Sequence, residues 1–408
     1  MNKEVASVDD IRAHFPALER RHNGIPVAYF DGPGGTQVPR SVVDAISDYL
    51  FHHNANTHWS FPTSGETDEM IARSRQTVAD FLNSGPDEIV FGQNMTTLTF
   101  HLARSLGRGF AQGDEIVVTE LDHHANVDTW RSLEKDRGLI IKVLPMNIDT
   151  GQLMIERLPD LLSSKTRLVA IGAASNILGT ITDVKTAVSI ARNAGALTFV
   201  DAVHYAAHEL VDVKEIGCDF LACSAYKFYG PHLGILYGRK ELLDSIDFPK
   251  LKPSPNRSPE RAETGTQNHE GIAGTAAAID FLASLAGGAN RRERLRNTFN
   301  ETHRRQEILT RSLWNGLLSI RDVRLYGPPP GVQRTSTVSF TVKDIGTTLV
   351  ARALTSDAIF VSDGDFYAST VVKRLGVPGL VRAGCGIYTT MEDVERLVEA
   401  VRSLSATR

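Results

Sequence analysis

Between residues 88 and 240 the chain repeats short β-rich runs, among them Glu88-Ile89-Val90-Phe91, Glu115-Ile116-Val117-Val118, Arg167-Leu168-Val169-Ala170-Ile171, Leu197-Thr198-Phe199-Val200 and Phe220-Leu221-Ala222-Cys223. Segments of helical periodicity separate most of them. Near-continuous apolar strands alternating with helices specify an α/β fold with a mainly parallel central sheet covered by helices on both faces. Such a sheet gathers functional side chains at the carboxyl ends of its strands. Asp201 stands at one such end, and Lys227 at another, in Ser224-Ala225-Tyr226-Lys227.

Around this centre the pattern changes. Ser41 to His52 and Thr67 to Leu82 read as amphipathic helices, with Val43, Ile46 and Leu50 marking one face and Ile71, Val78 and Leu82 the other, and 54–64 between them reads as a loop. The Pro/Ser-rich stretch 252–259 reads as an exposed loop. A long charged helix follows from about Asn290 to Leu317, then strands at 335–342, 359–361 and 380–383 mixed with helices at 347–354 and 391–404. Thr390 is a suitable N-cap for the last helix, with Glu392 and Asp393 in its first turn. The expected organisation is an N-terminal arm, 1–24, packing on the small domain; a large cofactor-binding domain, 25–285; and a small α+β C-terminal domain, 286–408.

With 42% hydrophobic and 23% charged residues in 408, the chain has the composition of a globular protein with room for two domains at roughly 150 residues each. The net charge of -4 supplies no basic field for nucleic acid, and Arg291-Arg292-Glu293-Arg294 reads as a solvated helix face. No apolar run approaches membrane-spanning length, and the first residues lack the apolar core of a secretory signal, so a cytoplasmic location is expected, with no nucleic-acid or membrane partner. Cys218, Cys223 and Cys385 are odd in number and lack zinc spacing. The pairs His52-His53 and His123-His124 have no third ligand at a recognisable spacing, so no metal site is expected.

Chemically, Lys227 and Asp201 point together to pyridoxal 5'-phosphate. A lysine amine holds the cofactor aldehyde as a Schiff base, and a buried carboxylate keeps the pyridine nitrogen protonated so that the ring accepts electrons from a substrate carbanion. Either residue alone has a bland reading, a strand-end carboxylate or a solvated lysine.

Further motifs stand in a fixed order along the chain: Asp31-Gly32-Pro33-Gly34-Gly35, Glu120-Leu121-Asp122-His123-His124-Ala125-Asn126, Ser175-Asn176-Ile177-Leu178-Gly179, Val200-Asp201, Ser224-Ala225-Tyr226-Lys227-Phe228-Tyr229-Gly230-Pro231, Glu263-Thr264-Gly265-Thr266 and Val381-Arg382-Ala383. In these the sequence resembles the cysteine desulfurase and selenocysteine lyase branch of the class V aminotransferase family, over residues 25 to 400. The resemblance implies a fold-type I pyridoxal-phosphate-dependent transferase fold. It makes Lys227 the Schiff-base lysine, Asp201 the partner of the pyridine nitrogen, and His123 the histidine that lies flat on the ring and can move protons. Thr96, with Met95, falls at the phosphate end, although the family's usual Gly-Thr-Thr is Asn94-Met95-Thr96 here. Ser224 is a second phosphate ligand, and Tyr226 stands where the desulfurases commonly have a histidine. Asn176 corresponds to the residue beside the ring oxygen and the substrate carboxylate. His204 stands where a glutamine donates to the ring hydroxyl, its other reading being a buried polar residue bonded to backbone. Thr266 resembles the residue that reaches the phosphate of the partner subunit, implying a homodimer with shared active sites, and Arg382 the arginine that takes the substrate carboxylate.

The resemblance breaks at one point. Desulfurases carry the persulfide cysteine on a loop of the small domain, and here that loop reads Ser362-Asp363-Gly364-Asp365-Phe366-Tyr367-Ala368, with Tyr367 at the cysteine's place. A phenol has no persulfide chemistry. The reaction expected is therefore β-elimination from an amino acid substituted at Cβ, a C–S or other Cβ–X lyase working through an external aldimine and a quinonoid, with Lys227 as base and Tyr367 or His123 as acid. Transamination and epimerisation share the same carbanion and stay open. Tyr367 is either an acid/base or a plug that shapes the pocket. Trp59, Phe61, Arg257 and Arg261 lie in stretches expected to border the substrate side chain, or simply in surface loops.

Overall fold

The computed structural model describes residues 5–406; the first four residues of the expected arm lie outside the described residues. Its centre is a seven-stranded sheet of β1 (Ile89–Gly92), β2 (Glu115–Thr119), β3 (Ile140–Leu144), β4 (Thr166–Gly172), β5 (Leu197–Asp201), β6 (Phe220–Ser224) and β7 (Gly234–Gly238), in the spatial order β1-β7-β6-β5-β4-β2-β3. Only β7 runs against its neighbours, pairing antiparallel with both β6 and β1. The carboxyl ends of the other strands and the amino end of β7 therefore meet at one edge.

Both faces of the sheet are covered, as continuous apolar strands require. On one side Phe91, Val117, Val169, Val200 and Leu221 pack with Phe81, Ile279 and Phe299; on the other Val90, Ile116, Leu168, Phe199 and Phe220 pack with Leu102, Trp130 and Leu133. The helices that matter for the site are α1 (Arg40–Asp48), α2 (Pro62–Leu82), α3 (Met95–Gly107), α4 (His269–Ser284) and α5 (Arg291–Leu318). Gly274 of α4 lies where any side chain would press on Ile46, which lets α4 approach α1 closely.

A second sheet, entirely antiparallel, comprises β8 (Val323–Tyr326), β9 (Thr337–Val342), β10 (Ser362–Gly364) and β11 (Leu380–Gly384) in the order β8-β9-β11-β10. It packs its own core of Val338, Phe340, Val381 and Ala383 against Leu313, Leu317, Val394 and Leu397. Thr390 caps the last helix, Met391–Ala406, by accepting from the Asp393 amide at 3.2 Å while Asp393 accepts from the Thr390 amide at 3.0 Å.

Several sequence expectations are corrected. The second helix begins at Pro62 rather than Thr67, so the loop expected over 54–64 ends at Phe61. Proline at the first helical position carries a preset φ and lacks only an amide that has no intrahelical partner there, a start signal that apolar periodicity does not register. The first helix closes in a π-helical turn, Tyr49–His53, and buries Val42, whereas Val43 and Leu50 are 52% and 45% exposed. The 1–24 arm bridges both units rather than packing on the small one alone: Phe15 meets Phe281 and Tyr388 edge-on, and Arg12 reaches Asp393 at 3.4 Å. A boundary at residue 25 also divides what packs together, because Ala28–Tyr29 pairs in parallel with Ile359–Phe360 and Phe30 is buried in the smaller core.

Candidate active site

One cavity of about 1010 Å3 opens along the sheet edge where β1, β2, β4, β5 and β6 end and β7 begins, and Arg382 of β11 and the 362–367 segment close it from the smaller unit. Lys227 leaves β6 through a single 3-10 turn, Ala225–Lys227, that buries its stem. Its Nζ donates to the carbonyls of Pro33 and, at 3.0 Å, Gly34. Burial, then the charge of Arg382, pull its pKa down to about 7 against the opposing pull of Asp201 and Asp31. A substantial fraction is then neutral amine near neutral pH, the form that attacks an aldehyde.

Asp201 is buried at the end of β5, where Oδ1 accepts from the Val203 amide at 2.9 Å; burial pushes it up to about 6. A carboxylate in that position is stabilised by a cationic ring N–H. Asp122 follows β2 and is pushed up to about 7, first by burial and also by Asp201. Its oxygens accept from the Gly172 amide at 3.0 Å and Asn126 Nδ2 at 2.8 Å. His123 accepts at Nδ1 from the Ala125 amide at 3.0 Å, so the neutral ring carries its proton on Nε2. Burial, with Lys227, His124 and Arg382 nearby, holds it down at about 4.

His204 lines the same cavity, fully desolvated and held well below the usual imidazole range by burial. Its Nε2 meets the hydroxyls of Thr335 at 3.1 Å and Thr337 at 2.9 Å, side-chain partners rather than the backbone of the bland reading. Any donation to a ring hydroxyl must then come from Nδ1.

At the opposite end α3 starts with Asn94 as its N-cap, accepting from the Thr97 amide at 2.9 Å. Thr96 is exposed on the first turn and faces the cavity. The Met95 amide, expected to be free for a phosphate, instead donates to Ser224 Oγ at 3.1 Å, and the Met95 side chain is buried in the core. Ser224 keeps its own hydroxyl proton to donate. Tyr226 lines the wall beyond it, its ring stacked on His232 at 4.9 Å and 13°.

On the side of the smaller unit Arg382 is buried, its Nη1 donating to the Asn176 carbonyl at 2.9 Å, its Nε without a partner and its guanidinium 4.0 Å above the Phe366 ring. Burial lowers its pKa to about 9. Asn176 donates from Nδ2 to the Phe366 carbonyl at 3.0 Å, leaving Oδ1 buried and unpaired. Asp31 Oδ1 is likewise buried and unpaired. Phe366 and Tyr367 both hold left-handed backbone, φ 54° and 55°, unusual for bulky residues and a local cost that surrounding contacts must offset. The His124 amide supplies one, donating to the Tyr367 carbonyl at 2.7 Å. The Tyr367 side chain is 75% exposed at the mouth and tilts over His123 at 5.5 Å.

Sequence reasoning therefore placed Lys227, Asp201, His123, His204, Thr96, Met95, Ser224, Tyr226, Asn176, Tyr367 and Arg382 around a cavity that all of them line. Thr266 is not among the residues lining it: it lies in an exposed segment behind Glu263, which is fixed by Arg75 at 2.8 Å and the Phe91 amide at 2.8 Å. Trp59, Phe61, Arg257 and Arg261 do not line it either. Asp122, His232 and Phe366 line it as well, and Asp31 lies close enough to act on Lys227; none was singled out, though Asp31, Asp122 and Phe366 stood inside quoted stretches. The buried Asp201 beside Lys227, the helix start with the Thr96 hydroxyl facing the cavity, and the unpaired Arg382 Nε fit pyridoxal 5'-phosphate together with an amino-acid carboxylate.

Residues 28–397 match the family model described as aminotransferase class-V. A cysteine desulfurase of Pectobacterium carotovorum is 33% identical over 97% of this chain and 98% of its own length, and a probable cysteine desulfurase of Halalkalibacterium halodurans is 33% identical over 96% of each. Among solved structures, a cysteine desulfurase from Thermococcus onnurineus superposes over all of both chains with a TM-score of 0.90 at 30% identity. The Escherichia coli cysteine desulfurase CsdA does so over 98% of each with a TM-score of 0.86 at 26%.

Proposed function

The chain belongs to the class V aminotransferase family, whose members use pyridoxal 5'-phosphate, and from that premise we propose that it is a lyase that expels a β-substituent from an amino acid without a persulfide. The observation that carries the reading is the position of Tyr367 at the cavity mouth over His123, with every cysteine elsewhere. Cys218, Cys223 and Cys385 are buried in the two cores, and burial pushes Cys385 up to about 12 and the other two higher still. A thiol so placed is neither ionised nor mobile.

Bound cofactor supplies the electron sink that stabilises negative charge at the substrate α-carbon. The protein's own groups do the rest. Arg382 takes the substrate carboxylate with the Nε left unpaired. Lys227 Nζ, which burial lowers to about 7, removes the α-proton in its neutral form. His123 gives a hydrogen bond from Nε2 to the departing β-substituent, because Nδ1 is occupied by the Ala125 amide, and the proton that the substituent takes up is the one Lys227 removed. Tyr367 covers His123 and keeps water from the leaving group.

The working unit in this reading is a homodimer, with Thr266 completing the partner's phosphate site. The support is an exposed apolar set on and after the first helix: Leu50, Phe51, Trp59 and Phe61 are 45%, 79%, 64% and 48% exposed. A cytoplasmic setting belongs to the same proposal and is supported by three unpaired cysteines.

The test is incubation of the cofactor-loaded enzyme with a panel of amino acids in deuterated water, followed by NMR. Keto acid formed without an amino acceptor supports elimination. Acceptor-dependent product would replace the reading with transamination, and α-deuterium with inversion would replace it with epimerisation.

A further inference from the structure

We propose that His232 is a phosphate-binding residue of this chain, an imidazole that reaches the cofactor phosphate from the turn before β7 and works as a stacked pair with Tyr226. The inference rests on the cofactor and not on the reaction proposed above. Because β7 is the one antiparallel strand, its amino end, not its carboxyl end, arrives at the functional edge. Gly234 opens β7 directly against the backbone of Asn94, where a Cβ would collide, and is paired with Gly92. The chain two residues earlier is thereby fixed beside the start of α3, and His232 lines the cavity with Asn94, Thr96 and Thr97.

The charges around the cavity leave this end without a cation of its own. Lys227 is turned to the Pro33 and Gly34 carbonyls, and Arg382 to the Asn176 carbonyl and the Phe366 ring. His124 is paired with Asp128 at 2.8 Å, and His123 is neutral over the middle of the site. A phosphate carries close to two negative charges, and hydroxyls and helix amides offer only partial positive charge. His232 is exposed, and among the described residues no hydrogen bond or ion pair engages its ring.

The stack explains how the pair can act on one anion. With centroids 4.9 Å apart on one wall of the cavity, the stacked phenol and imidazole are close enough for both to donate to oxygens of one phosphate. Tyr226 supplies the neutral donor and the platform, and His232 supplies the donor that can carry charge.

The experiment compares two forms of the ligand. Holoenzyme is freed of cofactor with a carbonyl reagent, then titrated with pyridoxal 5'-phosphate and with pyridoxal, which has the same ring and aldehyde but no phosphate. His232→Ala is expected to weaken pyridoxal phosphate by about tenfold, the scale of one hydrogen bond to a charged group, and to leave pyridoxal unchanged. The phosphorus resonance of the bound cofactor should shift in the same variant. His232→Gln, which keeps a neutral donor of similar reach, should fall between the two and serves if the alanine variant melts early. Equal weakening of both ligands would show that His232 supports the site as a whole and not the phosphate, and unchanged phosphate affinity would remove it from the site; either result overturns the proposal. Failure of the elimination reading changes neither titration.

Discussion

The two halves of the cavity are built differently. On the cofactor side, Asp201 and Ser224 close buried strands of a sheet packed on both faces, and Lys227 follows Ser224 by three residues, at the end of a single tight turn. On the substrate side, Arg382 comes from a small antiparallel sheet and is roofed by Phe366, on a segment whose backbone is left-handed at two consecutive bulky residues. Electron-sink chemistry needs the first half rigid, because a carboxylate must face a ring nitrogen at hydrogen-bond distance. In the proposed reading the choice of reaction is made in the second half, where Tyr367 stands at the mouth.

Lys227→Ala strikes the rigid half and should have the largest effect, a loss of roughly 10³-fold or more in turnover together with the absorbance band near about 420 nm of the lysine Schiff base. A variant that keeps the band would break the assignment of the cofactor half. Arg382→Ala should strike only the other half, raising KM for the amino acid roughly 100-fold, the scale for removing one partner of a buried charge pair, with the band intact. If the band were lost as well, the two halves would not be separable.

Capture of the cofactor by apoenzyme sharpens the electrostatics of Lys227. An ammonium does not attack an aldehyde, and burial lowers this group to about 7, so capture should quicken about tenfold per pH unit below that value and level off above it. A rate still climbing steeply above pH 9 would mean that the amine is not depressed. The smallest effect is expected from Tyr367→Phe, which keeps the ring over His123 and removes only the hydroxyl. Turnover within about threefold of the parent supports a covering role, whereas a loss on the scale of an acid catalyst, roughly 100-fold, would make Tyr367 the proton donor to the leaving group.

Much of the cofactor half was legible because strands and their ends are written locally. An apolar run ending in Asp201 or opening into Ser224-Ala225-Tyr226-Lys227 declares its position without knowledge of its neighbours. Less legible were features set by partners distant in sequence. The Met95 amide looked free at a helix start until Ser224, 129 residues away, was found accepting from it. Asn176 looked like a pure ligand residue until its amide was found holding the Phe366 carbonyl, 190 residues on. The start of α2 was missed for a local reason: Pro62 and the polar residues behind it begin a helix with no apolar rhythm.

The order of strands and helices, Lys227 and Asp201 at strand ends and a tyrosine at 367 were all determined by the sequence itself, since each is a matter of residue type and short-range period. Tertiary structure alone decided which way β7 runs and hence that His232 stands beside Tyr226, that the Arg382 guanidinium lies on Phe366, and that Ala28–Tyr29 joins the smaller unit. Strand pairing depends on contacts between segments far apart in the chain, and the burial that moves Lys227 and Asp201 toward neutrality exists only after those contacts have excluded water.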